Sequence, residues 1–166
     1  QGLIMSTTLS NALAGGTCCL SKAGVAAGTT TTTTIALTNY AIGGRMFSKA
    51  AAANGATPTV DAATGAAFVP LTAGKSCIFV YALDAAGALK AVQGPLVNGA
   101  DVTGKLSAVQ FPVMPGGMAA IGYLYAQAGS TLVGTWTFGA NNMAGVTGMT
   151  YTFADLFAIP AQPLAA

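Results

Sequence analysis

Histidine and glutamate are absent from the chain, and the only acids are Asp61, Asp84, Asp101 and Asp155. Acid–base catalysis draws on His, Glu, Asp, Lys, Cys or Tyr held in tuned pairs, so most of its usual partners are missing. The cysteines Cys18, Cys19 and Cys77 are odd in number and two are adjacent, which argues against a disulfide framework. With no histidine and no fourth cysteine, neither the usual structural zinc sets nor a catalytic Cys–His pair can be built. No cofactor is expected, and small buried thiols in a reducing compartment are the default reading. Long apolar runs are missing too. No uninterrupted stretch reaches the ~18–20 residues of a membrane span. No basic segment precedes an apolar run as in a signal peptide. Gln1 is not an initiator methionine, so upstream residues were removed or lie outside this numbering, and export stays open.

Charge is the scarcest commodity. Only 6% of residues are charged and the net charge is +2, against a usual charged fraction of about 25%. Free monomers generally stay soluble through interspersed charges, whereas the cores of protein interfaces are depleted of them. The reading that follows is a surface largely covered by neighbouring subunits. A secreted protein with an Ala- and Gly-rich composition is the alternative. Lys22, Arg45, Lys49, Lys75, Lys90 and Lys105 are scattered singly, apart from Arg45 and Lys49, with no aromatic interleaving. Nucleic-acid binding needs clustered cations, so no nucleic-acid partner is expected. Arg45 and Lys49 suit a solvated strand edge, where positive charge discourages edge-to-edge pairing.

What is present is β-forming. The 166 residues suit one domain, or a domain with an arm. Residues 1–28 read as an N-terminal arm whose larger apolar residues are Leu3, Ile4, Leu9 and Leu13. Ser6 or Thr7 can cap a short helix ending at Gly15–Gly16. Both an anchoring arm and a segment packed on its own domain fit this stretch. Residues 29–166 read as a single β-domain. Thr29–Thr34 leads into a strand over 35–42 in which Ile35 and Leu37 alternate with Thr34 and Thr38. Gly43–Gly44 supplies a two-residue hairpin turn, and Arg45 to Lys49 returns antiparallel. Residues 50–66 read as loop, with at most a short helix or edge strand. Cys77 to Leu83 pairs with Ala88 to Gln93 through Asp84-Ala85-Ala86-Gly87, a type I turn followed by a left-handed residue. Further strands are predicted at Val109–Phe111, Ala119–Ala126, Leu132–Phe138 and Met149–Phe153, with one turn over Asp155–Phe157. Short strands at this spacing predict an all-β antiparallel fold, a Greek-key sandwich or jelly-roll-like barrel, with an extended N-terminal arm.

The chemical motifs are weak. Ala73-Gly74-Lys75-Ser76 matches the end of a phosphate loop, but Val69 stands where the first glycine belongs and a strand follows. Ser21–Lys22 and Ser48–Lys49 are adjacent pairs, which point to opposite faces of a strand. Asp84 is explained by its turn, and no spacing suggests a two-carboxylate site. Trp136, Tyr123 and Tyr125 could stack on a sugar, but strand aromatics are enriched for packing, in a core or an interface. With Leu3, Ile4, Leu9 and Leu13 they are the expected interface residues.

Four stretches carry a resemblance. These are Tyr40-Ala41-Ile42-Gly43-Gly44-Arg45-Met46-Phe47-Ser48-Lys49; Phe79-Val80-Tyr81-Ala82-Leu83-Asp84-Ala85-Ala86-Gly87 with Val92-Gln93-Gly94; Pro112 to Pro115 with Ala120-Ile121-Gly122-Tyr123; and Tyr151-Thr152-Phe153-Ala154-Asp155. In this order the chain resembles small virion proteins of tailed bacteriophages, of the head-decoration or head-fibre kind, over about residues 35–160. Ile42 stands where that pattern often has Asp or Asn. The resemblance implies a non-catalytic β-domain, commonly a homotrimer, that cements or decorates the outside of a capsid by binding the major capsid protein. Two other classes remain: a tail or fibre component that contacts a host receptor through aromatics near Trp136, and a secreted cell-surface or filament subunit.

Overall fold

Threonines and glycine pairs shape the first layer. In the computed structural model, which describes residues 16–99 and 109–156, six short strands build it. They are β1 (Cys18–Cys19), β2 (Ala26–Ala27), β3 (Thr33–Ile35), β4 (Thr38–Ile42), β5 (Arg45–Lys49) and β6 (Ala52–Gly55). β4 lies between β1 and β5, and β3 between β2 and β6. The two sets join, because Leu20 N donates to Asn39 O at 2.8 Å and Ala36 N to Ala23 O at 2.7 Å. The segments therefore act as three long antiparallel strands in a meander. Gly43 and Gly44 both have positive φ, 57° and 79°, and Ile42 faces Arg45 across them. That is the expected hairpin, with the two left-handed residues its turn type demands.

The second layer follows in chain order: β7 (Leu71–Thr72), β8 (Lys75–Asp84), β9 (Leu89–Gln93), β10 (Val97–Asn98), β11 (Met118–Ala128), β12 (Thr135–Trp136) and β13 (Met149–Asp155). β8 pairs with β9 and β10 along one edge and with β11 along the other, and β13 completes the sheet beyond β11. β9 and β10 are one strand broken by a bulge: Phe79 faces Gln93, but Ser76 faces Val97, one residue out of step. Pro95, which has no N–H for a ladder, sits in that break. The β8–β9 turn follows the expected chemistry. Gly87 N donates to Asp84 O, the Asp84 carboxylate accepts from Ala86 N and Ala88 N, and Gly87 has φ 75°. β7 and β12 form a separate pair.

Period-two alternation sorts the main sheet into two faces. Cys77, Phe79, Tyr81 and Leu83 point towards the first layer, into a core with Ile35, Tyr40, Phe68, Leu71, Trp136 and Phe138. Ile78 and Val80 point the other way, into a smaller cluster with Val109, Tyr123 and Leu156. In β11 the alternation changes phase. The register to β8 slips between Ala120 and Gly122, leaving Ile121 as the extra residue of a bulge. Ile121 and Leu124 therefore both enter the larger core. Beside the bulge the layers come close: a Cβ on Gly122 would lie 2.8 Å from both Val25 Cγ2 and Ala154 O. The layers are also tied by polar contacts. Tyr40 donates to Asp84 O at 2.8 Å, Val25 N donates to the Asp155 carboxylate at 3.0 Å, and the Thr33 hydroxyl donates to the Tyr81 hydroxyl at 3.5 Å. The described residues form antiparallel sheets with no closed barrel, the sandwich form of the all-β expectation.

Several expectations change in detail. Residues 16–28 supply the first strand of the three-stranded layer, so the arm expected to end at residue 28 already belongs to the β-structure there. The expected short helix lies outside the described residues. Ile35 and Leu37 do not share a face. Ile35 is 3% exposed and Leu37 56%, because the strand is interrupted at Ala36–Leu37, where the Thr38 hydroxyl donates to Ala36 O. Val109–Phe111 is not a strand; its apolar residues instead cover the smaller cluster. Only Thr135–Trp136 of 132–138 is strand, since Gly134 at φ 80° precedes it and Thr137 N turns to the Asn141 side chain. Asp155 ends β13 rather than starting a turn.

Gly122→Ala should destabilise the chain by about 1–3 kcal/mol, the usual effect of overpacking, in chemical denaturation. A second expectation concerns pH. Burial pushes the Cys77 thiol up to about 12 and the Tyr151 phenol up to about 12, and raises Tyr81 as well. The unfolded chain releases these protons near 9.0 for the thiol and 10.0 for the phenols. Their contribution is thus complete below pH 9 and is lost as pH rises through the folded values. A melting temperature that stays level from neutral pH to pH 9 and falls above it is the expected result.

Candidate assembly surface

Once one face of the three-stranded layer is committed to the core, alternation sends the other residues outward. The inner set includes Cys19, Tyr40 and Phe47, with the Tyr40 and Phe47 rings stacked at 5.5 Å. The outer set begins with Cys18, Ala41 and Met46, which lie side by side because Cys18 faces Ala41 and Ala41 faces Met46. The next row is Leu20, Asn39 and Ser48, fixed by the Leu20–Asn39 bond and the Asn39–Ser48 pair. Leu37 stands two residues before Asn39, on the same face. Leu20 is 45% exposed, Leu37 56% and Met46 71%. Large apolar side chains so exposed, on neighbouring segments of one face, are of the kind that marks interaction surfaces.

The face is nearly neutral. Lys22, beside Leu37, is the charged residue on this face; Arg45 lies on the opposite side, its guanidinium 5.5 Å from the centre of the Phe47 ring. Asn39 has its N–H bonded to the Ser21 hydroxyl and its carbonyl to Leu20, so its backbone is satisfied at the centre of the face. Cys18 is half-buried at the rim, whereas Cys19 and Cys77 are buried. Burial raises the Cys19 thiol above its ordinary value.

Of the residues expected at an interface, Trp136 and Tyr123 are buried. Trp136 is 1% exposed; its indole N–H donates to Asn142 O at 2.7 Å, and its ring packs on Phe79, Phe138 and Tyr151. It is a core residue and offers no platform to a sugar or a partner. Tyr123 is 3% exposed and meets Phe111 edge-on at 5.2 Å, so it too is a packing residue. Tyr125 is half-buried, and its hydroxyl is buried without a hydrogen-bond partner. Leu3, Ile4, Leu9 and Leu13 lie outside the described residues. The structure thus does not bring the three aromatics to an exposed face. Leu20, Leu37 and Met46 escaped the sequence reading. Met46 carried a signal, since it is out of phase with Phe47 in the hairpin. Leu37 carried a misleading one, because the interruption that turns it outward has no marker in the residues around it.

A groove of about 470 Å³ lies along the β9–β10 bulge, lined by Asp61, Gln93, Gln110 and Phe111 among others. Two of its polar side chains are engaged: the Gln93 amide bonds both backbone groups of Val69, and Asp61 accepts from Ala63 N. Among the described residues no group of three or more His, Cys, Asp or Glu side chains could hold a metal ion.

Met46→Lys with Leu37→Lys should leave the melting temperature within about 2 °C, because exposed substitutions seldom exceed ~0.5 kcal/mol. The same pair should lower the mass of any assembly formed through this face, as read by light scattering. No family model, curated protein or solved structure matches the chain, so the assignment of this surface rests on its own geometry and chemistry.

Proposed function

We propose that the chain is a non-enzymatic virion structural protein that decorates or cements a bacteriophage capsid through subunit–subunit and subunit–shell contacts. The observation that carries this reading is the open, nearly neutral face bearing Leu20, Leu37 and Met46, in a chain with only 6% charged residues. A free monomer with that surface is poorly protected against association; a subunit that buries it is not. The antiparallel all-β sandwich agrees with the fold that the resemblance implies. The partners in this reading are further copies of the chain, as a homotrimer, and the major capsid protein on the shell's exterior. The action is mass action. A protein that binds assembled shell but not free subunits stabilises the shell by that binding free energy. The receptor-binding alternative loses its supporting feature, because the aromatics near Trp136 are core residues.

Light scattering behind a sizing column tests self-association, and cosedimentation with empty shells of the parent virus tests attachment. A stable oligomer that saturates shells is expected; a monomer that fails to sediment with them would overturn the proposal. Removal of residues 1–15 should weaken attachment and leave the β-domain folded, whereas removal of 1–28 should unfold it by stripping the first strand.

A further inference from the structure

Each layer has two outer strands, and three of these four edges are obstructed. The β9–β10 edge is broken by the Gly94–Pro95 bulge, carries Lys90, and is overlaid by Asp61 and Ala62, whose N–H bonds Ala91 O. The β1–β2 edge carries exposed Lys22 and the left-handed Gly24, φ 58°. The β5–β6 edge has Arg45 and Lys49, then Asn54 at φ 57°, whose side chain is held by Thr29 N and the Thr32 hydroxyl. Charge, proline and irregular backbone are the usual protections of an edge. β13 has a single charge, Asp155 at its end, held by Val25 N; Met149-Thr150-Tyr151-Thr152-Phe153-Ala154 before it is uncharged, lacks proline, and pairs with β11 in register along its whole length.

The hydrogen-bond phase shows which groups face out. Gly148 O accepts from Gly129 N, and Leu156 N donates to Ile121 O, each between directly opposed residues. The even-numbered residues therefore bond β11, and Tyr151 and Phe153 turn their N–H and C=O outward. Among the described residues nothing pairs with those groups.

We infer that β13 pairs antiparallel with β13 of a second copy of this chain about a twofold axis at Thr152, joining two four-stranded sheets into one. The phase permits this register: Tyr151 and Phe153 exchange both hydrogen bonds, and Thr152 faces Thr152 in a non-hydrogen-bonded pair. Aromatic pairs and Thr–Thr pairs are favourable cross-strand neighbours. No like charges meet, since Asp155 falls opposite Met149. Met149, Tyr151 and Phe153 are half-buried at the margin of the larger core, and the second copy would complete their cover. A seven-residue strand is about 24 Å long, and such a strip buries about 500 Å² per partner, the scale of a small, reversible interface. The pairing doubles whatever unit lacks it, monomer to dimer or trimer to hexamer, and is separate from attachment to a shell.

The test is a charge swap at the axis, with the full chain and sedimentation equilibrium as the readout. Thr152→Lys and Thr152→Glu should each weaken doubling at least about fivefold, because like charges then face each other. An equimolar mixture of the two should restore it, which neither a folding defect nor the loss of another interface would do. Wild-type protein that does not double, variants that double normally, or a mixture that stays apart would each overturn the inference. Shell cosedimentation of the same variants reports separately on the capsid role.

Discussion

Strand β8 is buried from Ser76 to Leu83, on both faces at once. A strand enclosed in this way needs cover above and below and paired neighbours on either side, and the rest of the architecture answers those needs. The hairpin to β9 closes one side and β11 the other. Phe68, Trp136 and Phe138 pack on Phe79, and the three-stranded layer reaches the same face through Thr33 at Tyr81 and Tyr40 at Asp84, while Val109, Phe111 and Leu156 cover the face of Ile78 and Val80. Even the bulge at Ile121 follows from this demand. It shifts the phase of β11 so that a run of small and large apolar residues keeps its bulk towards the thicker core.

Legibility of the sequence tracked how local the determining physics was. The Gly43–Gly44 and Asp84–Gly87 hairpins depend on turn residues whose preferences act within four positions, and they formed as read. The β8, β11 and β13 runs were equally plain, since β-branched and aromatic residues accumulate there. Leu37 and the 132–138 segment failed for a different reason. Their backbones are diverted by single hydrogen bonds that no turn residue announces: Ala36 N to Ala23 O across the sheet, and Thr137 N to the Asn141 side chain four residues on. The candidate surface inherited the same problem. Aromatic content pointed to Trp136 and Tyr123, yet size is what draws those side chains into the core, leaving exposure to Leu20, Leu37 and Met46.

Two kinds of neutrality coexist in this molecule and have different origins. The outer face of the three-stranded layer is, Lys22 apart, neutral in its side chains while the backbone of its central strand is used in the sheet. The outer edge of β13 from Thr150 to Ala154 is neutral in its side chains and, at Tyr151 and Phe153, unspent in its backbone. The first favours contact by apolar burial, broad in what it accepts; the second favours contact by a ladder, strict in direction and register. A subunit with both can meet unlike neighbours without one contact competing with the other.

Contacts built on Leu20, Leu37 and Met46 would contain little opposed charge for dissolved ions to screen. An interface of this type is indifferent to ionic strength, unlike one steered by ion pairs. Its driving force instead fades as water is cooled, because apolar burial near room temperature is entropic. Low temperature, rather than high salt, is therefore the condition under which this face would let go.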